Sequence, residues 1–136
     1  MSLLEELLRE LLRRKGVVEK YYENYLKHLE GRDYDEASED LWGVVNNLVS
    51  ILSLLLRGKP IGRHEELRKF IDDLISLKGD ARLKELLLAC ERLHANFFHN
   101  FMDEQQFEEH RAKAEELISI LESYIVEELR KYGISI

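Results

Sequence analysis

At 136 residues, with 45% hydrophobic and 35% charged residues, the chain has the composition of one globular domain spanning 1–136 rather than of a disordered segment. A net charge of −7 argues against a general nucleic-acid coat, and one cysteine excludes an internal disulfide and any multi-cysteine zinc site. No uninterrupted apolar run reaches the ~18–20 residues of a membrane span, and charges break up the apolar start, so a cytoplasmic protein with no membrane or signal segment is expected.

Ser2 and Glu5 make an N-terminal capping pair, and Leu3, Leu4, Leu7, Leu8, Leu11 and Leu12 follow at helical spacing. Gly16 is placed to bend or interrupt this helix. Beyond it Val17, Val18, Tyr21, Tyr22, Tyr25, Leu26 and Leu29 continue the pattern to a stop at Gly31. Asp33 and Glu36 open a second helix with a core face of Leu41, Val44, Val45, Leu48, Leu52, Leu55 and Leu56. A second stripe on it, Glu39, Gly43, Asn46, Ser50, Ser53 and Arg57, is small and polar. It suits a close helix contact, with a shallow groove as the alternative.

The segment from Arg57 to His64 is a basic loop whose Arg57, Lys59, Arg63 and His64 are candidate phosphate or RNA contacts, although it lacks the spacing of a nucleotide-binding P-loop. A third helix runs from His64 to Lys78 on Leu67, Phe70, Ile71, Leu74, Ile75 and Leu77. Gly79 and Asp80 separate it from a fourth helix, which ends at the turn Asn100–Asp103. A long last helix, capped by Asp103, runs to about Tyr132 and stops at Gly133. No segment alternates with period two for long enough to be a strand. The expected fold is all-α, an antiparallel bundle of four long helices and one shorter one.

The fourth helix carries the densest set of chemically useful side chains. With Arg92 at zero and about 100° per residue, Asn96 falls near 40° and His99 near −20°, so the three share one polar stripe. Leu83, Leu86, Leu87, Cys90, Phe97 and Phe98 fall opposite, with His94 in their midst. His94 is therefore expected to be a buried, hydrogen-bonded core histidine, and Cys90 a small core residue. Trp42 flanks the core stripe of the second helix and is expected to pack against another helix.

A metal site is not expected. Glu91 and His94 form one Glu-x-x-His pair, where a di-iron bundle needs two, and no cofactor motif occurs. The combination that remains is Arg92 with His99: an arginine can hold a phosphodiester, and a histidine can carry the proton of a ribose 2′-hydroxyl. Arg92-x6-His99 resembles the signature of HEPN-domain ribonucleases, small helical bundles that usually join two arginine–histidine pairs at a dimer cleft. With eleven Arg and five His the spacing also arises by chance, and Arg57 with His64 repeats it across a loop.

A second resemblance covers roughly residues 17–130. Ala37-Ser-Glu-Asp-Leu-Trp-Gly43, the His-x-x-Leu element at His64–Leu67, and Leu93-His-Ala-Asn-Phe-Phe98 resemble the PaREP family of small archaeal helical proteins. The resemblance implies a HEPN-like bundle of archaeal origin and makes His94 and Asn96 family positions, whereas His99 departs from the pattern. Twenty Glu against seven Asp would suit a thermophile. Two functions are expected. One is a helical interaction module, a homodimer with RNA, a nucleotide or a nucleotidyltransferase-like protein as partner. The other is a metal-independent endoribonuclease in which His99 is the general acid/base, Arg92 holds phosphate, and Asn96 orients His99 or the substrate.

Overall fold

The computed structural model describes residues 2–134, which form five α-helices: α1 (Leu3–Glu30), α2 (Tyr34–Arg57), α3 (His64–Lys78), α4 (Arg82–His99) and α5 (Glu104–Lys131). Local chemistry sets most of their ends. Ser2 Oγ accepts from the Glu5 amide, and Asp33 from the Glu36 amide. Asp103 and Gln106 form a complete capping box. Gly58 and Gly79 stop α2 and α3 in the left-handed conformation, and Asn100 does the same for α4 at φ 45°. Gly16 does not interrupt α1: the helix runs straight through it, and the glycine faces open space.

Contacts between helices give the topology. Arg14 with Asn47, Tyr21 with Gly43 and His28 with Asp40 show α1 antiparallel to α2. Arg82 with Glu116, Lys113 with Glu85, and Arg92 with His110 show α4 antiparallel to α5. Tyr34 meets Glu104 and Leu55 meets Tyr132, so α2 and α5 are parallel. α2 is the axis of the bundle, packed by α1, α4 and α5, and sixteen of its residues are buried. By length and hydropathy it would pass as a membrane span, a possibility that uninterrupted runs had not shown. Yet 78% of its most apolar window is buried inside the bundle.

The small polar stripe of α2 serves two purposes. Gly43 lies against the Tyr21 ring, where an added Cβ would stand 2.6 Å from a ring carbon, so only glycine permits this approach of α1. Farther along, the stripe is a track for the 58–63 connection, which doubles back along α2. Ser53 Oγ donates to the Lys59 carbonyl at 2.6 Å, the Ile61 amide donates to Ser50 Oγ at 3.3 Å, and His64 arrives at Trp42. Seven extended steps cover about 23 Å, and the fifteen helical residues from Arg57 back to Trp42 rise about 22 Å. The loop is as long as the return requires, and serine hydroxyls satisfy its backbone. The expected helix contact or groove over this part of the stripe is thus corrected.

Asp40 is 6% exposed and is held by His28 Nδ1 at 2.6 Å. Burial pushes the Asp40 carboxyl up, against the pull of His28. The hydrogen bond to Asp40 raises the His28 imidazole above its ordinary value. A histidine raised on folding contributes stability that is complete below its unfolded pKa and is lost as pH rises through the folded value. Stability is therefore expected to fall from neutral into mildly alkaline pH. His28→Gln should flatten that slope in denaturation midpoints measured on both sides of neutrality; an unchanged slope would contradict the coupling.

Candidate functional site

The three stretches that resemble the PaREP pattern lie on α2, α3 and α4, and the fold brings them to one place. Trp42, 7% exposed, stacks with the imidazoles of both His64 and His94, with ring centroids 5.2 and 4.8 Å away and both planes tilted by 19°. Carboxylates hold the two imidazoles. His64 Nε2 bonds Glu91, which also accepts from Arg68 Nε at 2.7 Å, and His94 Nδ1 lies 3.0 Å from Glu39 Oε2. Phe98 meets His94 edge-on at 5.3 Å. Burial pushes the Glu39 carboxyl up, with His94 opposing. A small cleft of about 160 Å³ opens beside the stack between Asn46, Ile61 and His64. Trp42 thus packs between α3 and α4 as expected. Glu91 and His94 face different partners, and among the described residues no three of His, Cys, Asp and Glu are grouped to share a metal ion.

Two expectations for α4 are corrected. His94 is hydrogen-bonded, but its side chain is 32% exposed, at the margin of the core rather than in its middle. Asn96, expected on the outer stripe, is 1% exposed. Its Oδ1 accepts from the amides of Phe101 and Met102 at 3.0 and 2.9 Å, and its Nδ2 donates to Ser38 Oγ at 3.3 Å. The buried arc also includes Ala89 and Leu93, whereas Phe98 is 64% exposed, so the true core direction is rotated toward Asn96. Phe97 and Phe98, the apolar residues of the last turn, pull the wheel direction away from the face that the central turns bury. Cys90 is fully buried, as expected, and burial pushes its thiol up to about 12.

Arg92 and His99 are both exposed and stand two turns apart, about 10 Å along the helix. Arg92 turns toward α5. Its Nε donates to His110 Nε2 at 3.0 Å and its guanidinium lies 5.3 Å from the Phe101 ring centroid. His110 Nδ1 in turn donates to the Gln106 carbonyl at 2.6 Å, which fixes the tautomer that receives Arg92. His99 makes no hydrogen bond or ion pair among the described residues. Reading by spacing overlooked His110, which lies on another helix, eighteen residues from Arg92.

The basic loop is partly committed. Arg57 bonds Ser53 Oγ and lies over the Phe70 ring at 5.0 Å, and Arg63 pairs with Glu65 and Glu66. His64 belongs to the Trp42 stack, which leaves Lys59 exposed.

A family model described as the archaeal PaREP1/PaREP8 family matches residues 13–118. The chain belongs to this family. No curated protein and no solved structure matches it. The PaREP1/PaREP8 match holds the whole Trp42 stack, the Asn96 clamp and the returning loop, but begins inside α1 and ends inside α5.

Two openings in the PaREP1/PaREP8 chain lie side by side between α1 and α5. One, of about 590 Å³, is lined by Tyr22, Leu26, Val44, Leu48 and Ile118. The other, of about 360 Å³, shares Val18, Glu19, Leu48 and Glu122 with it and continues past Leu8, Leu11 and Leu12 to Ile134. Together they make one apolar groove. At one end Tyr25 ties α1 to α5, its hydroxyl donating to Glu115 at 3.1 Å and accepting from Arg111 at 3.0 Å. No such tie joins the N-terminal half of α1 to α5 among the described residues. Leucines at both edges of the apolar arc of α1 are the sequence signal for this surface: the arc is wider than one helix contact can cover.

Proposed function

We propose that this protein is a helical interaction module that receives a partner along the groove between α1 and α5. One observation carries the reading. Of ten large apolar side chains left exposed among the described residues, five (Leu3, Leu4, Leu12, Tyr22 and Leu26) lie on α1. An apolar surface concentrated in this way, beside a formed groove, marks an interaction site. The partner class is protein rather than RNA, because Glu19, Glu23, Glu115 and Glu122 line the groove and repel phosphate. A neutral solvatochromic dye is expected to bind the native protein saturably, and Leu8→Gln with Leu12→Gln to abolish it. Undiminished dye binding by that variant, or none by the wild type, would remove the groove from consideration.

A second reading, a metal-independent endoribonuclease acting as a HEPN-like homodimer, is favoured by a different observation. Leu88, one turn before Arg92 on α4, and Phe101, in the turn that follows α4 and beside the Arg92 guanidinium, are 51% and 42% exposed. A second copy meeting that surface would bring two arginine–histidine pairs together. The interaction reading expects no cleavage of single-stranded RNA, with chelator present, that depends on Arg92 and His99. Cleavage abolished by Arg92→Ala and by His99→Ala would establish the enzyme instead.

A further inference from the structure

Resting on the groove as a binding surface, we infer that its occupant is a cationic amphipathic helix of a partner protein. Shape is the first argument. From Leu8 to Leu26 the groove follows nineteen residues of α1, about 27 Å, the length of a five-turn helix. Its floor is apolar and set in the core: Val44, Leu48 and Ile51 from α2 and Ile125 from α5 are all buried in the bundle. A helix laid there continues the packing that α1 already makes on α2, with its own apolar stripe inward.

Charge is the second argument. Glu19 and Glu23 stand on the α1 bank and Glu115 and Glu122 on the α5 bank, against one Lys15 near the other end. Lys15 is already 3.6 Å from Glu19, and Glu115 is engaged by Arg111. Glu23 and Glu122 have no hydrogen bond or ion pair among the described residues, so both are available to lysines or arginines flanking an inserted apolar stripe. A chain of net charge −7 attracts such a helix at long range as well.

Symmetry argues against a second copy of this chain in the same place. A two-fold contact sets a patch against itself. The acidic banks of one groove would then face the acidic banks of the other.

The test uses fluorescein-labelled helical peptides of about five turns that share one leucine face. Their polar faces are lysine, glutamine or glutamate, and each is titrated onto the full chain by fluorescence anisotropy. The lysine peptide is expected to bind about tenfold tighter than the glutamine peptide and tighter still than the glutamate one. Added salt should narrow the difference, as should Glu23→Gln with Glu122→Gln, exposed positions whose replacement leaves the circular dichroism unchanged. Equal binding of all three peptides overturns the cationic occupant. Dye binding without binding of any peptide overturns a helical occupant while the groove reading stands; loss of dye binding removes that reading itself. Sedimentation of a wild-type dimer that Leu12→Glu converts to monomer would assign the groove to a second copy and overturn the inference.

Discussion

Trp42→Ala is expected to destabilise the protein by about 3–5 kcal/mol, the range for emptying a buried tryptophan site. The cost arises at a junction of three helices. The indole, on α2, stacks with the His64 imidazole of α3 and with the His94 imidazole of α4. Removing it leaves His64 and His94 beside a hole, each still tied to its carboxylate, Glu91 or Glu39. Neither imidazole can collapse inward without leaving that carboxylate. Trp42→Phe keeps an aromatic ring of smaller area for the imidazoles to stack on and should recover part of the loss. Denaturant midpoints followed by far-ultraviolet circular dichroism decide it; a change below about 1 kcal/mol for the alanine variant would show that the stack is not a packing element.

Asn96→Ala is expected to cost about 2–4 kcal/mol, because one side-chain oxygen serves two backbone amides at the α4–α5 turn. Its amide nitrogen also reaches Ser38 at the start of α2, so the same side chain fixes the turn to the bundle axis. Asn96→Asp keeps the acceptor and should lose less than alanine does. Equal losses in the two variants, measured by the same denaturation, would count against the acceptor role. The prediction also bears on any ribonuclease assay. Loss of activity in Asn96→Ala would follow from the loosened turn and would assign no chemistry to the amide, whereas Arg92 and His99 are exposed and can be replaced without such damage.

The contrast between Asn96 and the helix ends shows what was legible in advance. Caps, glycine stops and the 3.6-residue period depend on residues within a few positions of one another, so Ser2, Asp33, Gly79 and Asp103 reveal their roles in the linear chain. Five helices, their order and most core residues follow from these signals, and the PaREP-like stretches are visible as short patterns. What a helix face meets is a different matter. Asn96 binds Ser38, 58 residues away; Arg92 binds His110 instead of His99; and two serines of α2 carry a loop that folds back over them. The groove exists because α1 packs on α2 and, among the described residues, is hydrogen-bonded to α5 through Tyr25 alone. The sequence by itself determined the helices and the pool of reactive side chains. Only the tertiary structure decided which of those side chains are clamps, which stack in the core and which face a partner, because burial and long-range hydrogen bonding depend on how helix faces are turned toward one another, and a phase error of a few tens of degrees exchanges a buried residue for an exposed one.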